Sequence, residues 1–165
     1  MGGIAGINEE IDGSSVSKAL YIAEKPSVAR EIAKVLKVPS SRSNQGFFEG
    51  QEHIVTWALG HLVAIAPPEV HNPAWKKWKL STLPMLPERF QLQPTSSGGR
   101  QFQVVKGLLS RADVGQVVCA TDAGREGELI FRRIYWLAGC TKPIRRLWAS
   151  DMTTKGLSKA IASLR

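Results

Sequence analysis

Ala19–Ala23 is an unbroken apolar run, ALYIA, of the kind found in strands covered on both faces. Pro26 ends it, and Ser27 is placed to cap a following helix. Val28, Ile32, Val35 and Leu36 then recur at helical spacing, leaving Arg30, Glu31 and Lys34 on the wet face. From Gln45 to Ala66 the pattern shortens to strands, Phe47–Glu49 and His53–Leu59, around a turn at Gly50-Gln51. Pro67 to Pro94 is a proline-punctuated, irregular excursion. The spacing of Phe102, Val105, Leu109 and Ala112 predicts a helix over Gly99–Ala112, and Gln116–Ala120 (QVVCA) repeats the buried-strand signature. Glu126–Leu137 carries Ile130, Ile134 and Leu137 in helical phase, Ile144–Trp148 reads as a third strand, and Thr154–Leu164 reads as a final helix. Strands and helices alternating at these lengths predict an α/β fold: a Rossmann-like, mostly parallel sheet flanked by helices, with an inserted β segment.

Met1–Ser17, rich in Gly and Ser and without a period, reads as a flexible leader to one domain over residues 18–165. No apolar run approaches the ~20 residues that span a bilayer. Cys119 and Cys140 form no CxxC or Cys/His spacing, which argues against a zinc site or disulfide framework and for a reducing, cytoplasmic setting. The balance of 22 Lys+Arg against 14 Asp+Glu gives a formal charge of +8 and favours a polyanionic partner such as nucleic acid.

Chemistry concentrates where two strands end. The first end reads Ala23-Glu24-Lys25-Pro26-Ser27, the second Thr121-Asp122-Ala123-Gly124-Arg125-Glu126-Gly127-Glu128. In open parallel sheets ligands bind beyond the carboxyl ends of strands. If these two strands are neighbours, Glu24, Asp122 and Glu126 converge on one edge. Carboxylates gathered in that way call for a hard divalent cation, Mg²⁺ being the natural choice. Lys25 and Arg125 suit phosphate oxygens, as do the two helix N-termini. Taken singly, each acid is more commonly a cap or a complement to a helix dipole. Two acid-bearing strand ends with adjacent cations favour a site. Trp75 and Trp78, around Lys76 and Lys77, could stack on single-stranded bases. The plainer reading packs both tryptophans onto the core, and leaves Arg132-Arg133 and Arg145-Arg146 as wet faces.

Four ordered segments carry a resemblance: YIAEKPSVAREIAKVL (Tyr21–Leu36), VTWALGHL (Val55–Leu62), CATDAGREGELIFR (Cys119–Arg132) and RLWASDMT (Arg146–Thr153). From about Lys18 to its end the chain resembles the Toprim domain of type IA DNA topoisomerases of the topoisomerase III kind. The resemblance implies a Toprim fold and a part in single-strand DNA cleavage and religation. It casts Glu24 as general acid and base, Lys25 as the residue that steadies the scissile phosphate, and Glu24, Asp122 and Glu126 as Mg²⁺ ligands. His61, in Gly60-His61-Leu62, matches a motif near the active cleft and, with Lys25 and Arg125, is a DNA- or phosphate-binding candidate. Gly124 stands where many relatives have a second Asp, so Glu128 or water must complete the coordination. The attacking tyrosine of such enzymes lies in a later domain, in a context that neither Tyr21 nor Tyr135 has. The expectation is therefore a fragment, inactive alone, whose partners are DNA and the remaining topoisomerase domains. A stand-alone nucleic-acid-binding or nuclease-like Toprim module and a purely structural module are the alternatives.

Overall fold

The computed structural model describes residues 17–39 and 43–165. The leader expected at 1–17 lies, apart from Ser17, outside the described residues. In chain order the elements are β1 (Lys18–Ala23), α1 (Pro26–Val35), β2 (Phe47–Glu49), β3 (His53–Trp57), β4 (Val63–Ile65), α2 (Pro68–His71), β5 (Leu92–Pro94), α3 (Gly99–Leu109), β6 (Val114–Ala120), α4 (Arg125–Leu137), β7 (Ile144–Arg146) and α5 (Thr154–Ala162).

The five-stranded sheet has the order β2-β3-β1-β6-β7. β3, β1, β6 and β7 run parallel, and β2 is antiparallel to β3. Strand periodicity explains why Ala19–Ala23 of β1 and Val117–Ala120 of β6 are apolar at successive positions, since alternate residues face opposite sides of the sheet. Leu20 and Ile22 of β1, with Val117 and Cys119 of β6, enter one core with Phe102, Val105 and Leu109 of α3 and Ile130, Phe131 and Ile134 of α4. Tyr21, Ala23, Val118 and Ala120 enter a second core with Ala29, Ile32 and Ala33 of α1 and Leu157 and Ala160 of α5. Each strand is therefore covered on both faces, and burying one such Leu, Ile or Phe contributes roughly 1.5–3 kcal/mol. The inserted β material is divided: β2 and β3 join the main sheet, whereas β4 and β5 pair antiparallel in a separate ribbon.

Four local expectations are corrected. Helix α1 starts at Pro26 with Lys25 as N-cap and no capping side chain, so Ser27 lies inside the first turn. Proline at the first helical position has its φ already set and lacks an N–H that would go unused, so the helix starts without a Ser cap. Helix α3 ends at Leu109, because Arg111 turns away to the Asp113 and Glu49 carboxylates and leaves Ala112 in a turn. β7 is shorter than expected, stopping at Arg146. Trp78 is 74% exposed rather than packed on the core, while Trp75 is half-buried.

Candidate active site

β1 and β6 are hydrogen-bonded neighbours in parallel register, with Ala23 opposite Ala120. Their next residues, Glu24 and Thr121, therefore leave the sheet side by side, and Asp122 follows at once. Glu24 is buried, and its Oε2 accepts the Asp122 backbone N–H at 3.2 Å. Lys25 Nζ lies 3.9 Å from Glu24 Oε1 and 3.9 Å from Asp122 Oδ2, bridging the two carboxylates while its own side chain stays largely in water. One cation between two acids offsets part of their mutual repulsion and leaves donor sites on Lys25 for a further anion.

Glu126 takes a different partner. Its Oε1 meets His61 Nε2, joining the first turn of α4 to the loop between β3 and β4. Gly60 makes that approach possible: its φ of +72° is the left-handed conformation a side chain disfavours. Gly60 N–H also points to the Glu24 carbonyl at 3.5 Å. The structure thus brings together Glu24, Lys25 and Asp122 as one group and His61 and Glu126 as another. Among the described residues no three His, Cys, Asp or Glu side chains are grouped as a metal cage. The oxygen donors of Glu24 and Asp122 nonetheless fit Mg²⁺, which is commonly held by one or two carboxylates, retained waters and substrate phosphates.

Glu128 is engaged elsewhere. Arg132 Nε donates to its Oε1 at 2.7 Å, Cys119 Sγ donates to Oε2 at 3.7 Å, and Arg146 Nε stands 3.5 Å from Oε2. Burial pushes the Cys119 thiol up, so it stays protonated beside this acid. Arg125 is exposed at the start of α4. Gly127 is required where it stands: a Cβ there would lie 2.2 Å from the Asp122 carbonyl oxygen. Gly124 differs, being extended (φ −179°, ψ 176°) with open space around it.

Sequence reasoning missed Arg146, which it took for a wet face. Its side chain is only 12% exposed, and its guanidinium donates to the carbonyls of Cys119 (2.9 Å), Thr121 (2.8 Å), Leu147 (3.3 Å) and Asp122 (2.7 Å). Arg146 opens the RLWASDMT segment, but the segment does not reveal this role, which arises from β7 lying beside β6. The two tyrosines are both buried: Tyr21 sits within β1, and Tyr135 Oη donates to the Lys142 carbonyl at 2.7 Å. Burial is the main cause that raises both phenols above their ordinary pKa.

The Toprim domain family matches residues 19–152. The chain belongs to the Toprim family. Among curated proteins it is 51% identical over 150 residues to the DNA topoisomerase 3 of Bacillus cereus, covering 91% of this chain and 20% of that one. The DNA topoisomerase 3 of Bacillus subtilis is 47% identical over 150 residues with the same coverage. This Toprim chain thus spans about a fifth of the length of the curated relatives it matches. Among solved structures, full-length topoisomerase I from Thermotoga maritima superposes with a TM-score of 0.55 at 18% identity, over 88% of this chain and 21% of that one. That likeness speaks to the fold. No helix among the described residues is long and apolar enough to cross a membrane.

Proposed function

We propose that this chain is the Mg²⁺-binding, phosphate-handling part of a type IA DNA topoisomerase of the topoisomerase III kind, acting in the cytoplasm on single-stranded segments of DNA. The observation that carries this is the juxtaposition of Glu24, Lys25 and Asp122 at adjacent parallel strand ends. Half-identity to proteins named DNA topoisomerase 3 supports it.

Mg²⁺, held by Glu24 and Asp122 with Glu126 as a further donor, would supply charge neutralisation at the scissile phosphate. Lys25 binds a non-bridging phosphate oxygen through its exposed ammonium, and Arg125 binds the neighbouring backbone. Glu24 is buried and fixed by the Asp122 N–H, so its carboxyl group is placed to give a proton to the leaving sugar oxygen and recover it on resealing. His61 contacts Glu126 and so ties the first turn of α4 to the β3–β4 loop beside this site. The attacking tyrosine comes from another domain, since Tyr21 and Tyr135 are both buried in packing roles.

The test compares this chain with a longer one that includes the remaining domains. The longer chain relaxes supercoiled plasmid with Mg²⁺ and loses this in Glu24→Gln, while the 165-residue chain leaves plasmid supercoiled at stoichiometric amounts. Relaxation by the short chain, or nicking by it that needs both Mg²⁺ and Glu24, would overturn the proposal in favour of a self-sufficient module.

A further inference from the structure

Arg146 spends a nearly buried positive charge on backbone. Its Nη1 and Nη2 reach the Thr121 and Asp122 carbonyls at 2.8 and 2.7 Å, so both peptide planes that flank the Asp122 Cα are held by one rigid fork. The Thr121–Asp122 peptide is engaged on both sides: its carbonyl accepts from Arg146, and its N–H donates to Glu24 Oε2 at 3.2 Å. A charged donor on the carbonyl polarises the peptide and strengthens the bond made by its N–H. The guanidinium is itself fixed. It lies 5.3 Å from the Trp148 ring centre, its Nε faces Glu128 at 3.5 Å without hydrogen-bond alignment, and the Arg146 backbone pairs both ways with Arg165. Burying a guanidinium is unfavourable unless its donors are met, and here most are met by neutral carbonyls at the end of β6.

We infer that Arg146 is a positioning residue: through the two peptides around Asp122 it sets the direction of the Asp122 side chain and the orientation of the Glu24 carboxylate. The inference rests on the magnesium reading above for its metal arm only; the backbone arm stands without it. A residue acting on ligands in this way commonly changes metal affinity by 10–100-fold when removed.

The test uses the purified chain with Mg²⁺ alone as probe, comparing wild type, Arg146→Gln and Arg146→Lys. Amide hydrogen exchange is followed at Asp122, metal binding by calorimetry and folding by thermal melting. In Arg146→Gln the Asp122 amide should exchange about tenfold faster and Mg²⁺ should bind about tenfold more weakly. Arg146→Lys, which keeps the charge without the fork, should recover part of both. A folded Arg146→Gln with unchanged exchange at Asp122 overturns the inference, as does a lower melting temperature with Mg²⁺ affinity intact, the mark of a merely structural role. If the Gln variant fails to fold, the Lys variant decides: exchange and affinity equal to wild type overturn the need for the fork. If wild type itself binds no Mg²⁺, the magnesium reading fails, and Asp122 exchange alone decides the role of Arg146.

Discussion

Glu49 lies at the end of the sheet where β1, β3 and β6 begin, remote along the strands from the acidic loop. Lys18 Nζ and Arg111 Nη2 donate to its Oε1 at 2.7 and 2.6 Å, and Arg111 also holds both oxygens of Asp113. The network ties the start of β1, the end of β2 and the turn before β6. The Arg111 hydrogen bond, assisted by Lys18 and opposed by burial, takes the Glu49 pKa from 4.5 to about 2. At about 1.4 kcal/mol per tenfold, that interval corresponds to roughly 3 kcal/mol. Arg111 is 30% exposed, and water screening trims the figure to about 2 kcal/mol. Glu49→Gln keeps the shape and removes the charge, so it should lower stability by about 2 kcal/mol at pH 7, or about 4–8 °C in Tm. The sign with pH follows from linkage. A carboxyl whose pKa is depressed on folding stabilises fully above about 4.5 and loses that contribution as pH falls towards 2. Urea unfolding of both proteins should therefore show less than half of the pH 7 difference at pH 3. An equal difference at both pH values, or one below about 0.5 kcal/mol at pH 7, would refute the reasoning.

Gly127→Ala separates helix propensity from packing. Propensity alone would stabilise α4 by about 0.5–1 kcal/mol, whereas the 2.2 Å approach of a new Cβ to the Asp122 carbonyl oxygen predicts a loss of about 1–3 kcal/mol by urea unfolding. Gly124→Asp places a carboxylate in open space at the N-cap of α4. Melting should change little, since Asp and Gly differ there by only a few tenths of a kcal/mol, and calorimetry should show tighter Mg²⁺ binding; unchanged or weaker binding would count against the metal lying on this loop.

Periodicity carried the sheet and its helices, because burial on one face or both leaves a repeat that local sequence records. ALYIA, and VVCA within QVVCA, are apolar at successive positions since β1 and β6 are covered on both sides by helices. The acidic strand ends were legible for the same reason: strands that stop at Ala23 and Ala120 announce Glu24 and Asp122 just beyond them. The four motif segments carried the Toprim likeness. Pairing was not legible, because a side chain's partner depends on which strand lies next to its own. Glu126 belongs by sequence with Asp122, yet it meets His61, brought over from the β3–β4 loop by the turn at Gly60. Trp78 has the residue type of a core anchor but stands in water, since the excursion around it follows no repeat that would assign it a face. Arg146 looked like one of many surface cations until β7 was placed against β6. The sequence alone determined the strands of the main sheet, the helices α1, α3, α4 and α5 and the chemical types at two strand ends. β4, β5 and the short α2, around the Pro67–Pro94 excursion read as irregular, came only with the structure. The tertiary structure alone decided that Lys25 bridges two acids, that Glu126 and Glu128 are occupied by other partners, and that a buried arginine holds the loop. Burial is written residue by residue along the chain, whereas contacts between distant residues come into being only when the strands assemble.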